Sequence, residues 1–595
     1  KTEYIYLILW IRCRSDKSPF PDPLGVRSLA CACKAAHTLS GRACMFKYRL
    51  ETRIGTSLAS PFVAWRQAVP SPKKLARIRM ATAVTPGEVA IAPSSKAFTA
   101  LSEKLKEIQA FSGISGLLGW DEMVMMPAGA AGSRGAQKSA LAGLLHERKS
   151  DPAIGELLEQ LQREEGQGAD AFRAAAVREA AREYRKVTAV TKDLAKREAE
   201  HETEAYQTWV KARQASNFSL FAPALEKWVA LRRERAALID PGKPVYDVLL
   251  DDYQPGLTSA RLDSIFDQVK AGLVPLLADL RARGTPPDTA WLKGEFDTDA
   301  QAALCREIAL TLGFDLEKGR LDVSVHPFTG GAHPTDVRMT TRFKKDSLLE
   351  GLTGTVHETG HALYEQGRNL EYDGLPVNEA AGMGVHESQS LLWERMVGLG
   401  RPFAAYLLPK IKAAFPQLPQ DRTAEDLYRA VNEVLPRSLI RVEADEVTYP
   451  LHIILRYELE SELVRGDISV DQLPELWNKK MKEYLGVEPE SDAQGVLQDV
   501  HWSYGLFGYF PTYSLGAMMA AQIFEAARKD LPDFEAEAAA GNFSKLKAWL
   551  NKNIHQVGSL YPSADELLEK VTGSPLDPSI LLEHLKSKYS ELYGL

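Results

Sequence analysis

Residues 346–367 read Asp-Ser-Leu-Leu-Glu-Gly-Leu-Thr-Gly-Thr-Val-His-Glu-Thr-Gly-His-Ala-Leu-Tyr-Glu-Gln-Gly, with the pentapeptide His357-Glu358-Thr359-Gly360-His361 at their centre. Leu348, Leu349, Leu352, Val356 and Leu363 recur at helical spacing, Asp346 reads as the N-cap and Gly367 as the C-terminal stop. On such a helix His357 and His361 stand four residues apart, about 400° of rotation, so both imidazoles leave one face and can hold a single metal ion. Glu358 lies one step round, where it can take a proton from a water polarised by the metal, the arrangement of a zinc peptidase.

A catalytic zinc takes three protein ligands and leaves the fourth position to water. The longer His-Glu-x-x-His-x-x-Gly-x-x-His signature needs Gly and His where Tyr364 and Gly367 stand, so that class of site is excluded. The third ligand is then a carboxylate from another helix. Val385-His386-Glu387-Ser388-Gln389-Ser390, followed by Leu391, Leu392, Trp393 and Met396, offers Glu387 26 residues past His361. Between them Gly367, Asp373-Gly374, Leu375-Pro376 and Asn378 supply the turn chemistry that lets the chain reverse. His386 is a rival from the same turn, but neighbours on a helix point about 100° apart, so only one of the two can face the metal.

The whole chain sets wider bounds. At 595 residues, 45% apolar and 25% charged, it has material for a large core. No apolar run approaches the ~20 residues of a bilayer crossing, so no membrane partner is expected. Residues 1–80 carry 15 Lys and Arg against Glu3, Asp16, Asp22 and Glu51, leaving 57 basic against 75 acidic residues for the remainder. An acidic body argues against nucleic acid, which needs a basic stripe. The basic, Ser- and Arg-rich leader has the composition of a transit peptide to a chloroplast or mitochondrion. The competing reading is a non-native extension of a cytoplasmic protein that starts at Met80-Ala81-Thr82-Ala83. Either way residues 81–595 are read as the catalytic domain. Cys13, Cys31, Cys33 and Cys44 lie in the leader, so the body, with Cys305 alone, has no disulfide framework; Cys305 reads as a small buried apolar residue.

From about residue 95 helical periodicity dominates and the body is expected to be mainly α. Ala171 to Ser216 reads as long solvent-facing helices, and apolar stripes mark segments near 222–238, 258–284, 298–313 and 403–414. Alternation at Leu321-Asp322-Val323-Ser324-Val325 and around Val337 to Phe343, with Gly330-Gly331 between, suggests a small hairpin or sheet before the motif helix. No Gly-, Ser- or Pro-rich linker divides the body, so one unit of two lobes is preferred.

Two further segments offer groups to anchor a peptide and to stabilise an oxyanion. In Ile440 to Tyr449, Arg441 and Asp445 stand one helical turn apart; an Arg fork there suits a peptide's free C-terminus, and a plain surface pair with Asp445 is the bland alternative. In Gln498-Asp499-Val500-His501-Trp502-Ser503 and the stretch to Tyr509-Phe510-Pro511-Thr512-Tyr513, His501, Tyr509 and Tyr513 are donors that could reach an oxyanion or simply fill a core. Gly505, Gly508 and Pro511 argue for a shaped loop rather than a continuous helix.

Together His326-Pro327-Phe328, Asp336-Val337-Arg338-Met339-Thr340, the pentapeptide, His386-Glu387-Ser388-Gln389, Ile440-Arg441 through Ala444-Asp445, and Gln498-Asp499-Val500-His501-Trp502 resemble the carboxypeptidase Taq family of thermostable metallocarboxypeptidases. Trp120-Asp121-Glu122, Met126-Pro127 and Arg134 extend the resemblance, which runs from about residue 95 to the C-terminus. It implies an all-α, two-lobed zinc peptidase with a deep substrate groove. It implies one zinc ion per chain, or cobalt, on His357, His361 and Glu387, and a homodimer. The implied activity is release of single residues from peptide C-termini, with broad side-chain preference and poor action on proline. By position Glu358 is general base and then acid, Arg441 anchors the carboxylate with Arg437 as a rival, Tyr513 and His501 serve the oxyanion, and Tyr509, Arg338 and His326 line the substrate site. Two alternatives stand beside it: an endo-oligopeptidase on the same zinc machinery, and a metal-free helical scaffold that binds peptides without cutting them. The second has no use for Glu358 beside two histidines.

Overall fold

The computed structural model describes residues 95–164 and 170–595. The leader, the start at Met80 and four of the five cysteines lie outside the described residues. Helices begin where the chain supplies an acceptor: Ser95, Asp170, Thr191, Thr258 and Asp297 each accept the backbone N–H three residues on. The four striped segments are the helices Ala222–Ile239, Ser259–Arg283, Thr298–Leu312 and Arg401–Ala414. The charged stretch after residue 170 forms two helices, Ala171–Ala189 and Lys192–Ala215, but neither is solvent-facing all round, because each buries one side. Buried Glu198 is tolerated there because Arg232 and Arg235 donate to it at 2.7 and 2.9 Å.

At the centre lie two helices buried on nearly every side, Tyr449–Arg465 and Pro511–Asp530. Such helices bury polar and apolar residues alike, so no stripe betrays them in the sequence. Their few charges are satisfied internally. Arg456 donates to Asp499 at 2.6 Å, and Glu460 accepts from the Tyr246 hydroxyl and the Trp502 indole, both at 2.8 Å. Pro511 starts the second of these helices, so the shaped loop ends there and Tyr513 is helical.

A three-stranded sheet precedes the motif helix: β1 (Gly319–Val323), β2 (Phe328–His333) and β3 (Asp336–Thr341), in the order β1-β3-β2. The expected hairpin between the two alternating segments is not formed. β1 and β3 run parallel, with Leu321 opposite Met339, and the hairpin is β2–β3. Phe-Thr-Gly-Gly-Ala-His in β2 lacks β-branched alternation, and its backbone packs closely on two glycines of a neighbouring helix. A Cβ on Gly113 or Gly116 of helix Lys96–Val124 would fall 2.4 or 2.5 Å from the carbonyl oxygens of Ala332 and Gly331.

The motif helix spans Leu348–Gln366, capped by Ser347, one residue later than expected, whose hydroxyl accepts from the Glu350 N–H; Gly367 closes it. After the turn the chain returns as the helix Met383–Leu391, which continues into a π-helical turn, Leu392–Gly398. These two helices touch backbone to backbone. A Cβ on Gly360 would lie 2.5 Å from the Gln389 carbonyl oxygen and 2.6 Å from Ser390 Cα, so the fourth motif residue must be glycine for this approach. No described helix is long and apolar enough to cross a membrane.

Candidate metal centre and active site

The return helix brings Glu387 to the motif. One donor atom each from His357, His361 and Glu387 lies within 4.8 Å of the others. His361 Nε2 is 3.3 Å from Glu387 Oε2. Two donors about 2.0–2.1 Å from a tetrahedral zinc are separated by about 3.3 Å, so this pair already has ligand spacing. Room for the Glu387 side chain is made by Gly516 on the helix Pro511–Asp530, where a Cβ would stand 2.7 Å from Glu387 Cγ.

The outer partners fix which nitrogens face the cluster. Glu394 Oε2 accepts from His357 Nδ1 at 2.7 Å, which leaves Nε2 free. Glu365 accepts from His386 Nε2 at 2.9 Å, so His386 Nδ1 is the acceptor for His361 Nδ1–H at 2.7 Å, and the lone pair of His361 Nε2 faces Glu387. His386, the rival ligand, thus turns away from the cluster and orients His361 from behind. Glu365 is in turn held by Arg368 at 2.9 Å. The donor set, two imidazole nitrogens and a carboxylate oxygen with oriented outer partners, fits a divalent transition metal, which would displace the proton that Glu394 and Glu387 favour on His357.

Burial drives Glu358 up to about 7, against the charge of His357 and the hydroxyl of Thr329. That hydroxyl, on β2, donates to Glu358 Oε2 at 2.7 Å and so fixes the carboxylate. Burial also raises Glu387, but the His361 hydrogen bond and the charges of His357, His361 and Arg395 outweigh it and hold the carboxyl at about 2. The two facing helices therefore carry a base poised near neutrality beside a ligand that stays ionised.

Arg441, His501, Tyr509 and Tyr513 are also brought together. Tyr513 Oη is 3.2 Å from His501 Nε2, the Tyr509 and Tyr513 rings are 5.2 Å apart, and the Arg441 guanidinium lies 4.9 Å from the Tyr513 ring centre. The expected helical pairing of Arg441 with Asp445 is absent. Arg441–Glu443 is a single 3₁₀ turn, and Asp445 accepts from the N–H groups of Leu435, Val447 and Thr448 instead. Arg441 gives Nε and Nη2 to Asp499 at 2.9 and 2.7 Å; its Nη1 has no partner among the described residues. Arg437, the rival anchor, is half exposed and pairs with Glu490 at the surface, 3.1 Å away.

One expected substrate residue, Arg338, is engaged away from the cluster. Arg338 is committed to Asp336 at 2.8 and 3.0 Å and lies over the Trp120 ring at 4.3 Å, because it sits in β3 facing the helix Lys96–Val124. His326 enters through its carbonyl, which accepts from the Ser324 and Thr340 hydroxyls and shapes the turn into β2, three residues before Thr329. Sequence reasoning missed Thr329, Glu365, Glu394, Arg395 and Gly516. Only Glu394 left a signal, seven residues or about two helical turns beyond Glu387.

Comparison with known proteins agrees with this geometry. The family model described as carboxypeptidase Taq (M32) metallopeptidase matches residues 100–589. Thermostable carboxypeptidase 1 of Thermus thermophilus is 42% identical over 511 residues, 84% of this chain and 99% of that protein. The crystal structure of the M32 carboxypeptidase from Deinococcus radiodurans R1 superposes with a TM-score of 0.81 at 37% identity, covering 84% of this chain and all of that one. Trypanosoma cruzi metallocarboxypeptidase 1 gives 0.79 at 37% identity, covering 83% of this chain. The chain belongs to the carboxypeptidase Taq (M32) metallopeptidase family and is a metal-dependent carboxypeptidase.

Proposed function

We propose that this carboxypeptidase works with zinc, held by His357 Nε2, His361 Nε2 and Glu387, and that Glu358 is its general base. The observation that carries the reading is the cluster of three donor atoms within 4.8 Å, with a buried carboxyl poised near 7 on the same helix. A divalent ion supplies Lewis acidity there, acidifying water and polarising a peptide carbonyl. Glu358, fixed by Thr329, accepts the proton of the attacking water and hands it to the leaving amine. Tyr513, its hydroxyl set by His501, donates to the oxygen that becomes negative. Arg441 offers Nη1 to the peptide's terminal carboxylate, while Asp499 holds the other edge of the guanidinium rigid.

The test is digestion of a defined peptide by the protein as purified, after chelation, and after return of zinc or cobalt. The expected products are a ladder of single-residue losses from the C-terminus that vanishes on chelation and returns with zinc. Internal fragments would favour an endo-oligopeptidase, and intact peptide in every arm a non-catalytic binder. Glu358→Gln should keep its metal and lose at least a hundredfold in kcat; near-normal turnover would remove Glu358 from the role.

A further inference from the structure

Arg395 is 7% exposed, yet none of its N–H donors meets an acceptor among the described residues. Its recorded contact is with the face of Tyr449, 4.3 Å from guanidinium carbon to ring centre. Other buried arginines here are saturated along at least one edge: Arg441 and Arg456 share Asp499, and Arg368 holds Glu365 and the Asn378 carbonyl. No Arg395 nitrogen is among the sealed, unpaired polar atoms of the described residues, so the open fork faces solvent, where an incoming carboxylate can reach it.

The acids around Arg395 balance its charge without occupying it. Glu387, Glu394 and Glu446 are its electrostatic neighbours. Each is engaged elsewhere: Glu387 lies 3.3 Å from His361, Glu394 accepts from His357 at 2.7 Å, and Glu446 accepts from Lys588 at 2.7 Å. Arg395 is placed by the π-helical turn Leu392–Gly398, a rare geometry that tends to occur at functional sites, one residue after the Glu394 that orients His357. Tyr449 in turn stands 6.3 Å from the Tyr513 ring, against which Arg441 lies. Two guanidiniums therefore flank a pair of tyrosines beside the metal cluster, and Arg395 is the one with its whole fork available.

We propose that Arg395 is a second substrate-carboxylate receptor of this active site, an inference that rests on the proposed peptidase reading. A planar fork takes a carboxylate through two parallel charge-assisted hydrogen bonds. The carboxylate is supplied either by the peptide's C-terminus or by the side chain of a C-terminal Asp or Glu.

The experiment compares full-length, zinc-loaded wild type with Arg395→Gln and Arg395→Lys on three blocked peptides that differ in their last residue: Ala, Gln or Glu. With Arg395→Gln, KM should rise about tenfold to a hundredfold while kcat changes less than threefold. A rise on all three peptides identifies the terminal carboxylate, and a rise on the Glu peptide alone identifies the side chain. Arg395→Lys keeps the charge that the three glutamates surround but loses the planar fork, so it should fold and show the same KM pattern with smaller rises. The proposal is overturned if KM stays within twofold on all three peptides in both variants. It is equally overturned if the loss falls on kcat, metal content and thermal stability while KM is unchanged, since that describes a structural counter-charge. Failure of the wild type to release any residue would instead overturn the peptidase reading itself.

Discussion

Gly360→Ala isolates the geometry on which the metal cluster depends, because the added methyl touches neither the ligands nor the substrate. It would lie 2.5 Å from the Gln389 carbonyl oxygen and 2.6 Å from Ser390 Cα, and both are backbone, which cannot swing aside. Restoring an ordinary contact of about 3.4 Å requires the motif helix and the return helix to part by about 0.9 Å. Helix propensity works the other way, since Ala is favoured over Gly by about 1 kcal/mol in a helix interior. Overpacking costs about 1–3 kcal/mol, so the net loss of stability is expected to be modest. Function should suffer far more. Ligand distances tolerate about 0.2 Å, and a misplacement of about 1 Å costs on the order of a hundredfold. Zinc affinity by competition with a chromophoric chelator and kcat on a short peptide should each fall about a hundredfold, while far-ultraviolet circular dichroism stays native. Wild-type affinity and turnover in Gly360→Ala would refute the claim that backbone contact sets the ligand spacing.

Three further substitutions probe the supports. His386→Phe removes the acceptor behind His361 and should weaken zinc binding about 10–100-fold with the helices intact; unchanged affinity would show that the relay to Glu365 is idle. Asp499→Asn leaves two buried arginines without their shared carboxylate and should lower the urea-unfolding free energy by about 3–5 kcal/mol, a loss under 1 kcal/mol being the contrary result. Burial pushes Glu358 up to about 7, so in the metal-free protein its proton is held more tightly folded than unfolded. Its contribution to stability is then present in acid and disappears as pH rises through 7. Metal-free Glu358→Gln should accordingly gain on metal-free wild type between pH 5 and pH 8, by up to about 3 kcal/mol, and a difference independent of pH would speak against the raised carboxyl.

The parts of the site visible in the sequence were those whose chemistry restricts residue type and spacing. Two histidines one turn apart, with a carboxylate needed from elsewhere, pointed to Glu387, and the structure brings that side chain to the pair. The helical body and the striped helices were likewise legible, because periodicity reports a half-buried face. What escaped was long-range. The partner of Arg441 is Asp499, 58 residues on, and no local pattern announces an ion pair at that separation. The helices Tyr449–Arg465 and Pro511–Asp530 have no stripe because all but their last turns are buried on nearly every side. Alternation located β1 and β3 but not their parallel pairing, which depends on β2 taking the hairpin position. Gly360 and Gly516 carry no chemistry of their own, and their roles exist only once a second helix lies against them.

The most direct measurement is anomalous diffraction at the zinc edge from crystals of the protein grown with zinc. The expected result is one strong peak per chain, about 2.0–2.2 Å from an imidazole nitrogen of both His357 and His361 and from a carboxylate oxygen of Glu387. A peak elsewhere, or one at the two histidines with Glu387 turned away, would contradict it.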